Sequence, residues 1–120
     1  MEHRGAKYHR ARVGEALKEE IATMIEGELG DPRIGLASVT EVQLTPDGKS
    51  ARVFVAVEGS EEEAVQTIEG LEAAKNFIRR ELTQRLQLRQ APELFFQLDR
   101  SERAGGRIDE LLGRIEKRKK

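Results

Sequence analysis

Apolar residues recur at helical steps in four stretches of this chain and at strand-like spacing in three more. Val13, Leu17, Ile21, Met24, Ile25 and Leu29 share one face, which predicts a helix over residues 10–29. Gly14 and Gly27 weaken it by about 1 kcal/mol each if they lie in its interior. Gly30 is expected to cap it and Pro32 forbids its continuation. Residues 37–45 and 50–57 read as strands, the second more clearly, because Ala51, Val53, Val55 and Val57 alternate with Arg52, Phe54 and Ala56. Thr45-Pro46-Asp47-Gly48-Lys49 between them has turn chemistry, so the pair is expected to form an antiparallel hairpin.

Ser60 followed by Glu63 matches a capping box, and the acidic cluster at 61–63 suits the positive end of a helix dipole. Ala64, Val65, Ile68 and Leu71 carry that helix towards Gly70, where it is expected to bend or break. A second helix spans 72–88, its stripe formed by Ala74, Phe77, Ile78, Leu82 and Leu86. Ala91-Pro92 ends it, and Leu94, Phe96 and Leu98 alternate as a third strand. Beyond Asp99, Gly105-Gly106 interrupts the chain before Ile108, Leu111, Leu112 and Ile115 suggest a short helix. The order is α-β-β-α-α-β, an α+β fold in which helices cover a three-stranded sheet. Residues 1–8 read as a flexible basic arm, 9–99 as one folded domain, and 100–120 as a weakly structured basic tail.

Charge adds a direction to this frame. Formal net charge is only −1, yet the 53–74 stretch holds six glutamates and no lysine or arginine, and basic residues begin abruptly at Lys75. Such sorting points to one face built for an anionic partner. Lys75, Arg79, Arg80 and Arg85 fall largely off the apolar stripe, Arg89 follows the helix end, and Arg10 and Arg12 add a second basic segment. Arginine suits phosphate contact. The competing reading is a solvated helix face in which Arg79 or Arg80 pairs with Glu81 or Glu72.

Other chemistries find little support. With no cysteine, disulfides and thiolate metal sites are excluded. The two histidines, His3 and His9, fall in the expected arm or at its edge, where no rigid catalytic or metal geometry is expected. Gly105-Gly106 lacks the Lys-Ser/Thr of a phosphate loop, and capping accounts for Glu61, Glu62 and Glu63. No cofactor, metal or small-molecule substrate is expected, nor a signal peptide or membrane span, which leaves a cytoplasmic non-enzyme. Aromatic residues make up 4% of the chain, too few for a stacking platform. Phe77, Phe95 and Phe96 are expected in the core. Two rival readings remain: a protein-interaction module using the hairpin edge or the acidic helix, and a small dimeric DNA-binding domain.

Several segments, in order and closely spaced, resemble the bacterial ribosome-binding factor A family, a variant KH domain of the type II order. They are RARVGEAL at 10–17, DPRIG at 31–35, LTPDGKSARVFV at 44–55, GLEAAKNFIRREL at 70–82, LQLRQAPELFFQLDRS at 86–101 and GGRIDELL at 105–112. The resemblance implies a monomeric assembly factor that binds the immature small (30S) ribosomal subunit through 16S rRNA. It further implies a link to maturation of the 16S 5′ end and to growth in the cold. In that family a helix-kinking Ala-x-Gly replaces the KH GxxG loop. The matching residues here are Ala74, Lys75 and Asn76, so asparagine stands at the glycine position. Either a kink or a smooth helix through Asn76 is compatible with that residue. The rRNA-binding residues implied are Arg10, Arg12, Lys75, Asn76, Arg79, Arg80, Arg85 and Arg89.

Overall fold

A computed structural model describes residues 4–101 together with 106, 108, 109, 112 and 113. The elements are α1 (Arg4–Gly27), β1 (Ala37–Leu44), β2 (Ser50–Val57), α2 (Glu61–Ala73), α3 (Lys75–Arg85) and β3 (Glu93–Leu98). This is the expected α-β-β-α-α-β order, and the sheet runs β1-β2-β3. β1 and β2 form the antiparallel hairpin, whereas β3 lies parallel to β2, with Leu94 beside Ala51 and Phe96 beside Val53. A parallel neighbour needs a long crossover, and α2 with α3 supplies it.

The helices and one face of the sheet enclose a core. Leu17, Ile21 and Met24 of α1, Val39, Val53 and Val55 of the hairpin, Leu71 of α2, Ile78 and Leu82 of α3, and Leu94 of β3 are all fully buried in it. α1 begins six residues before its expected start at Arg10. Arg4, Ala6 and Lys7 are good helix formers, and extending a formed helix is far easier than nucleating one, so no apolar face is needed there. The expected arm is therefore helical from Arg4; residues 1–3 lie outside the described ones. At its other end α1 stops at Gly27, with the Glu28 and Leu29 amides donating to Met24 O at 2.9 and 3.0 Å. Gly30 is not the left-handed cap expected of it: the only glycines with positive φ are Gly48 and Gly59 among the described residues.

Two local signals appear as expected. Gly48 adopts φ 73° in the hairpin turn, and Asp47 Oδ1 accepts from the Lys49 amide at 3.0 Å and the Thr45 hydroxyl at 2.7 Å. Ser60 caps α2, its hydroxyl accepting from the Glu63 amide while Glu63 takes the Ser60 amide.

Gly70 neither bends nor breaks its helix. It lies buried within α2, where an added Cβ would come within 2.7 Å of Ile34 Cγ1, so its role is close approach to the 31–35 connection. Thr67, fully buried one turn earlier, helps hold the same connection: its hydroxyl accepts from the Gly35 amide at 3.2 Å and donates to Glu63 O at 2.9 Å. Within the connection, Arg33 forks onto Asp31, NH2 to Oδ2 at 2.6 Å. This hydrogen-bonded guanidinium holds the Asp31 carboxyl down at about 2.

The opposite sheet face is partly covered. Ala56 packs against Ile108, and residues 106, 108, 109, 112 and 113 are helical, in agreement with the short helix expected after Gly105-Gly106. Leu111, Ile115 and the basic tail from 114 lie outside the described residues. The β1–β2 register slips between Val39 and Glu41, a β-bulge centred on Thr40. The buried Thr40 hydroxyl is engaged by Asp99 Oδ2 at 2.5 Å, next to the end of β3.

Candidate nucleic-acid interface

α2 and α3 are separated by one residue. Ala74 sits at φ −88°, ψ −1°, and its amide is shared between Gly70 O at 3.0 Å and Leu71 O at 3.1 Å. The Ile78 amide still reaches Ala74 O at 3.0 Å, so the hydrogen-bonded path tightens at Ala74 without being lost. Asn76 lies inside the first turn of α3 and has an ordinary negative φ. The interruption therefore makes no demand that glycine alone could meet at position 76.

Lys75 opens α3 and is tied on two sides. Its ammonium pairs with Glu72 at 2.6 Å and stands 5.7 Å from the centroid of the Phe95 ring. Phe95 is 43% exposed and Phe77 41%, which corrects the expectation that both belong to the core; Phe96 does. The reason is geometric. Phe95 falls on the strand positions facing away from Leu94 and Phe96, and the stripe that α3 buries consists of Ile78 and Leu82.

The arginines of α3 have three different surroundings. Arg79 turns inward: Nε donates to Pro92 O and NH2 to Ala91 O, both at 3.0 Å. One turn later the Thr83 hydroxyl donates to Arg79 O at 2.9 Å and accepts from the Ala91 amide at 3.3 Å. Together they fix the chain just before β3. Arg85 is caged by carboxylates, with Glu28 at 2.8 Å, Glu81 at 3.0 Å and Glu20 at 3.5 Å, and the hydrogen bond to Glu28 leads in raising its pKa further above its ordinary value. It joins α3 to α1 and to the residue just beyond it. Arg80 is exposed and has no partner among the described residues.

α3 ends earlier than the expected Leu88, and its end positions Arg89. Gln87 adopts φ 52°, the Gln87 amide donates to Gln84 O at 3.4 Å, and the Leu88 amide donates to Thr83 O at 3.0 Å. That is a Schellman cap with glutamine in the left-handed position where glycine is usual. It sends the chain back over the hairpin turn. Arg89, exposed and without a partner among the described residues, lines a groove of about 570 Å³ with Gly48, Lys49, Arg79 and Pro92. Arg10 and Arg12 project from α1 into neighbouring depressions beside His9 and Leu88.

The expected site residues are therefore only partly gathered. Arg79, Arg89, Arg10 and Arg12 surround the end of the domain formed by the hairpin turn and the 86–92 loop. Lys75 and Asn76 lie at the α2–α3 junction, and Arg85 faces the carboxylates near α1. Lys49 was missed by sequence reasoning; the signal that could have found it is a lysine directly after Asp47-Gly48, carried out on a tight turn. No cluster of three or more metal-ligating side chains occurs, and no helix is long and apolar enough to cross a membrane, among the described residues.

Comparison with known proteins places this geometry. The family model for ribosome-binding factor A matches residues 9–112. A ribosome-binding factor A from Koribacter versatilis is 61% identical over 120 residues, spanning 100% of this chain and 98% of that relative. One from Acetivibrio thermocellus is 48% identical over 102 residues, covering 84% of this chain and 83% of its own. Among solved structures, the crystal structure of ribosome-binding factor A from Thermus thermophilus superimposes with a TM-score of 0.66 at 30% identity, over 74% of this chain and 93% of that one. A Thermus thermophilus ribosome binding factor A model fitted into the cryo-EM map of a 30S complex gives 0.60 at 32% identity, over 72% and 90%. A single KH-like domain of this kind, matched over most of its length by sequence and by structure, belongs to the ribosome-binding factor A family.

Proposed function

We propose that this chain binds the immature small ribosomal subunit as a monomer in the cytoplasm and assists maturation of the 16S rRNA 5′ end, with its largest effect in the cold. The observation that carries the reading is the division of labour among the arginines. Arg80 and Arg89 are exposed and without partners among the described residues, one on α3 and one beyond its end, whereas the helix's other arginines, Arg79 and Arg85, are committed to the protein itself. The Thermus relative fitted into a 30S complex supports the choice of partner.

The mechanism follows from these roles. Arg80, Arg89, Arg10 and Arg12 contact phosphates of the rRNA. Arg79 holds the loop that carries Arg89, and Arg85 fixes α3 against α1. Lys75 and Asn76 present the Ala74 interruption to the RNA. Binding energy directed at one rRNA conformation shifts its population over competing folds, which is how a protein without catalytic groups acts on RNA folding. Misfolded RNA helices open more slowly in the cold, so the shift matters most there.

The test is made in cells that lack the chain, grown warm and cold, with the 16S 5′ ends mapped by primer extension. Extended precursors should accumulate in the cold, and the wild-type chain should remove them while Arg80→Glu/Arg89→Glu does not. Normal 16S ends in cold-grown cells without the chain would overturn the proposal.

A further inference from the structure

The groove at Arg89 continues past the hairpin turn. It shares Gly48, Gln90 and Pro92 with a second depression of about 330 Å³. That one shares His9, Val13 and Leu88 with a third of about 290 Å³. The three form one trough around the end of the domain where the β1–β2 turn, the 86–92 loop and α1 meet. Cations line both ends, Lys49 and Arg89 beside Glu93 at one, and Arg10 and Arg12, each already engaged with a partner of its own, at the other. Between them Val13, Leu44 and Leu88 make a half-buried apolar floor.

The walls are built before any ligand arrives. Asp47 lines the middle of the trough, but its Oδ1 is turned into the hairpin turn by the Lys49 amide and the Thr45 hydroxyl. Those bonds, led by the Lys49 amide, hold its carboxyl below the usual carboxylate range. On the facing wall, Arg79 pins Ala91 and Pro92, and the left-handed Gln87 sets the course of the chain into the trough.

Such a shape discriminates between forms of RNA. A duplex keeps its base faces stacked inside and presents backbone and shallow-groove edges, leaving an apolar floor unused. A single strand offers both parts, bases for the floor and phosphates for the cations at either end. We propose that this trough is a clamp for a single-stranded segment of RNA, separate from the α3 face that presents Arg80. The inference rests on the RNA-binding reading above and deepens it.

The test is an NMR titration of the full chain with hexauridylate and, separately, with an RNA hairpin of equal charge. The methyl groups of Val13, Leu44 and Leu88 and the Arg80 amide are followed. The methyls should shift saturably with hexauridylate and stay unmoved by the hairpin. Lys49→Glu should weaken hexauridylate binding about tenfold and lower its log–log salt slope by about 0.7, one phosphate contact on a single strand. Pro46→Glu, which sets a carboxylate beside the floor on an exposed turn, is the second variant and should weaken it similarly. Urea midpoints show that each variant is folded.

Shifts confined to α3 with both RNAs would overturn the clamp while leaving RNA binding through the Arg80 face standing. Hexauridylate binding that ignores both substitutions would do the same. Binding to small subunits without response to either RNA would also overturn it, and would give the trough to a protein segment. Loss of RNA and subunit binding alike in the wild-type chain would remove the proposed function and the clamp together.

Discussion

Replacing Arg79 and replacing Arg80 should have opposite consequences although the two are neighbours. Arg79 donates two charge-assisted hydrogen bonds to the carbonyls of Ala91 and Pro92, residues that are themselves buried. A hydrogen bond to a charged group contributes about 1.5–3 kcal/mol, and the freed carbonyls recover part of that from water. Arg79→Ala should therefore cost about 2–3 kcal/mol, and Arg79→Lys less, because an ammonium keeps a charged donor for one carbonyl although it lacks the planar fork that reaches both. Arg80→Ala, on an exposed position, should stay within about 0.5 kcal/mol of wild type. Urea unfolding followed by circular dichroism measures this as a shift in midpoint at constant slope. In subunit binding the order reverses. Arg80→Ala should lower the log–log salt slope by about 0.7–0.9, while Arg79→Ala, measured where it is fully folded, should keep the wild-type slope. A stable Arg79→Ala protein that has lost one contact from its salt slope would refute the assignment of Arg79 to structure.

Three further outcomes follow from the backbone and the turns. Gly70→Ala should destabilise by about 1–3 kcal/mol, since its Cβ would meet Ile34 at 2.7 Å. Gly14→Ala, whose Cβ would sit at an ordinary 3.6 Å from Val42 O, should stabilise by up to about 1 kcal/mol. Thermal melts of the two variants check the contrast. Gln87→Gly should raise stability by about 1 kcal/mol, because glycine adopts the φ of 52° without a Cβ penalty, and an unchanged or lowered urea midpoint would contradict it. Asp31 should titrate near 2 by carboxyl NMR, against an ordinary value of 3.8, and Arg33→Ala should return it towards that value. Because its folded pKa is depressed, its contribution to stability is full above about pH 4 and fades as pH falls through about 2.

How much of this could be read from the sequence depended on how local the cause was. The hairpin turn and the Ser60–Glu63 capping box were legible because a few adjacent residues determine each. The strand boundaries were also near those expected, since β-branched alternation in 50–57 leaves little choice of register. What escaped was set by contacts across the chain. Gly70 resembles a helix breaker until Ile34 is placed against it. Arg79 resembles Arg80 until the 91–92 carbonyls arrive, and Arg85 resembles a phosphate anchor until Glu20, Glu28 and Glu81 surround it. Charge sorting pointed to α3, but it could not say which of its charges were already satisfied. The Thr40 bulge left no sequence signal at all, and the exposure of Phe95 became visible only once the sheet face covered by the helices was known.

The proposed rRNA contact rests on Arg80 and Arg89, exposed arginines without partners among the described residues. Co-sedimentation with purified small subunits across a salt series, comparing wild type with Arg80→Glu/Arg89→Glu, tests it most directly. Binding by the wild type should be steeply salt-dependent and should be lost in the variant, with unchanged circular dichroism. Equal binding by the two proteins at every salt concentration would contradict it.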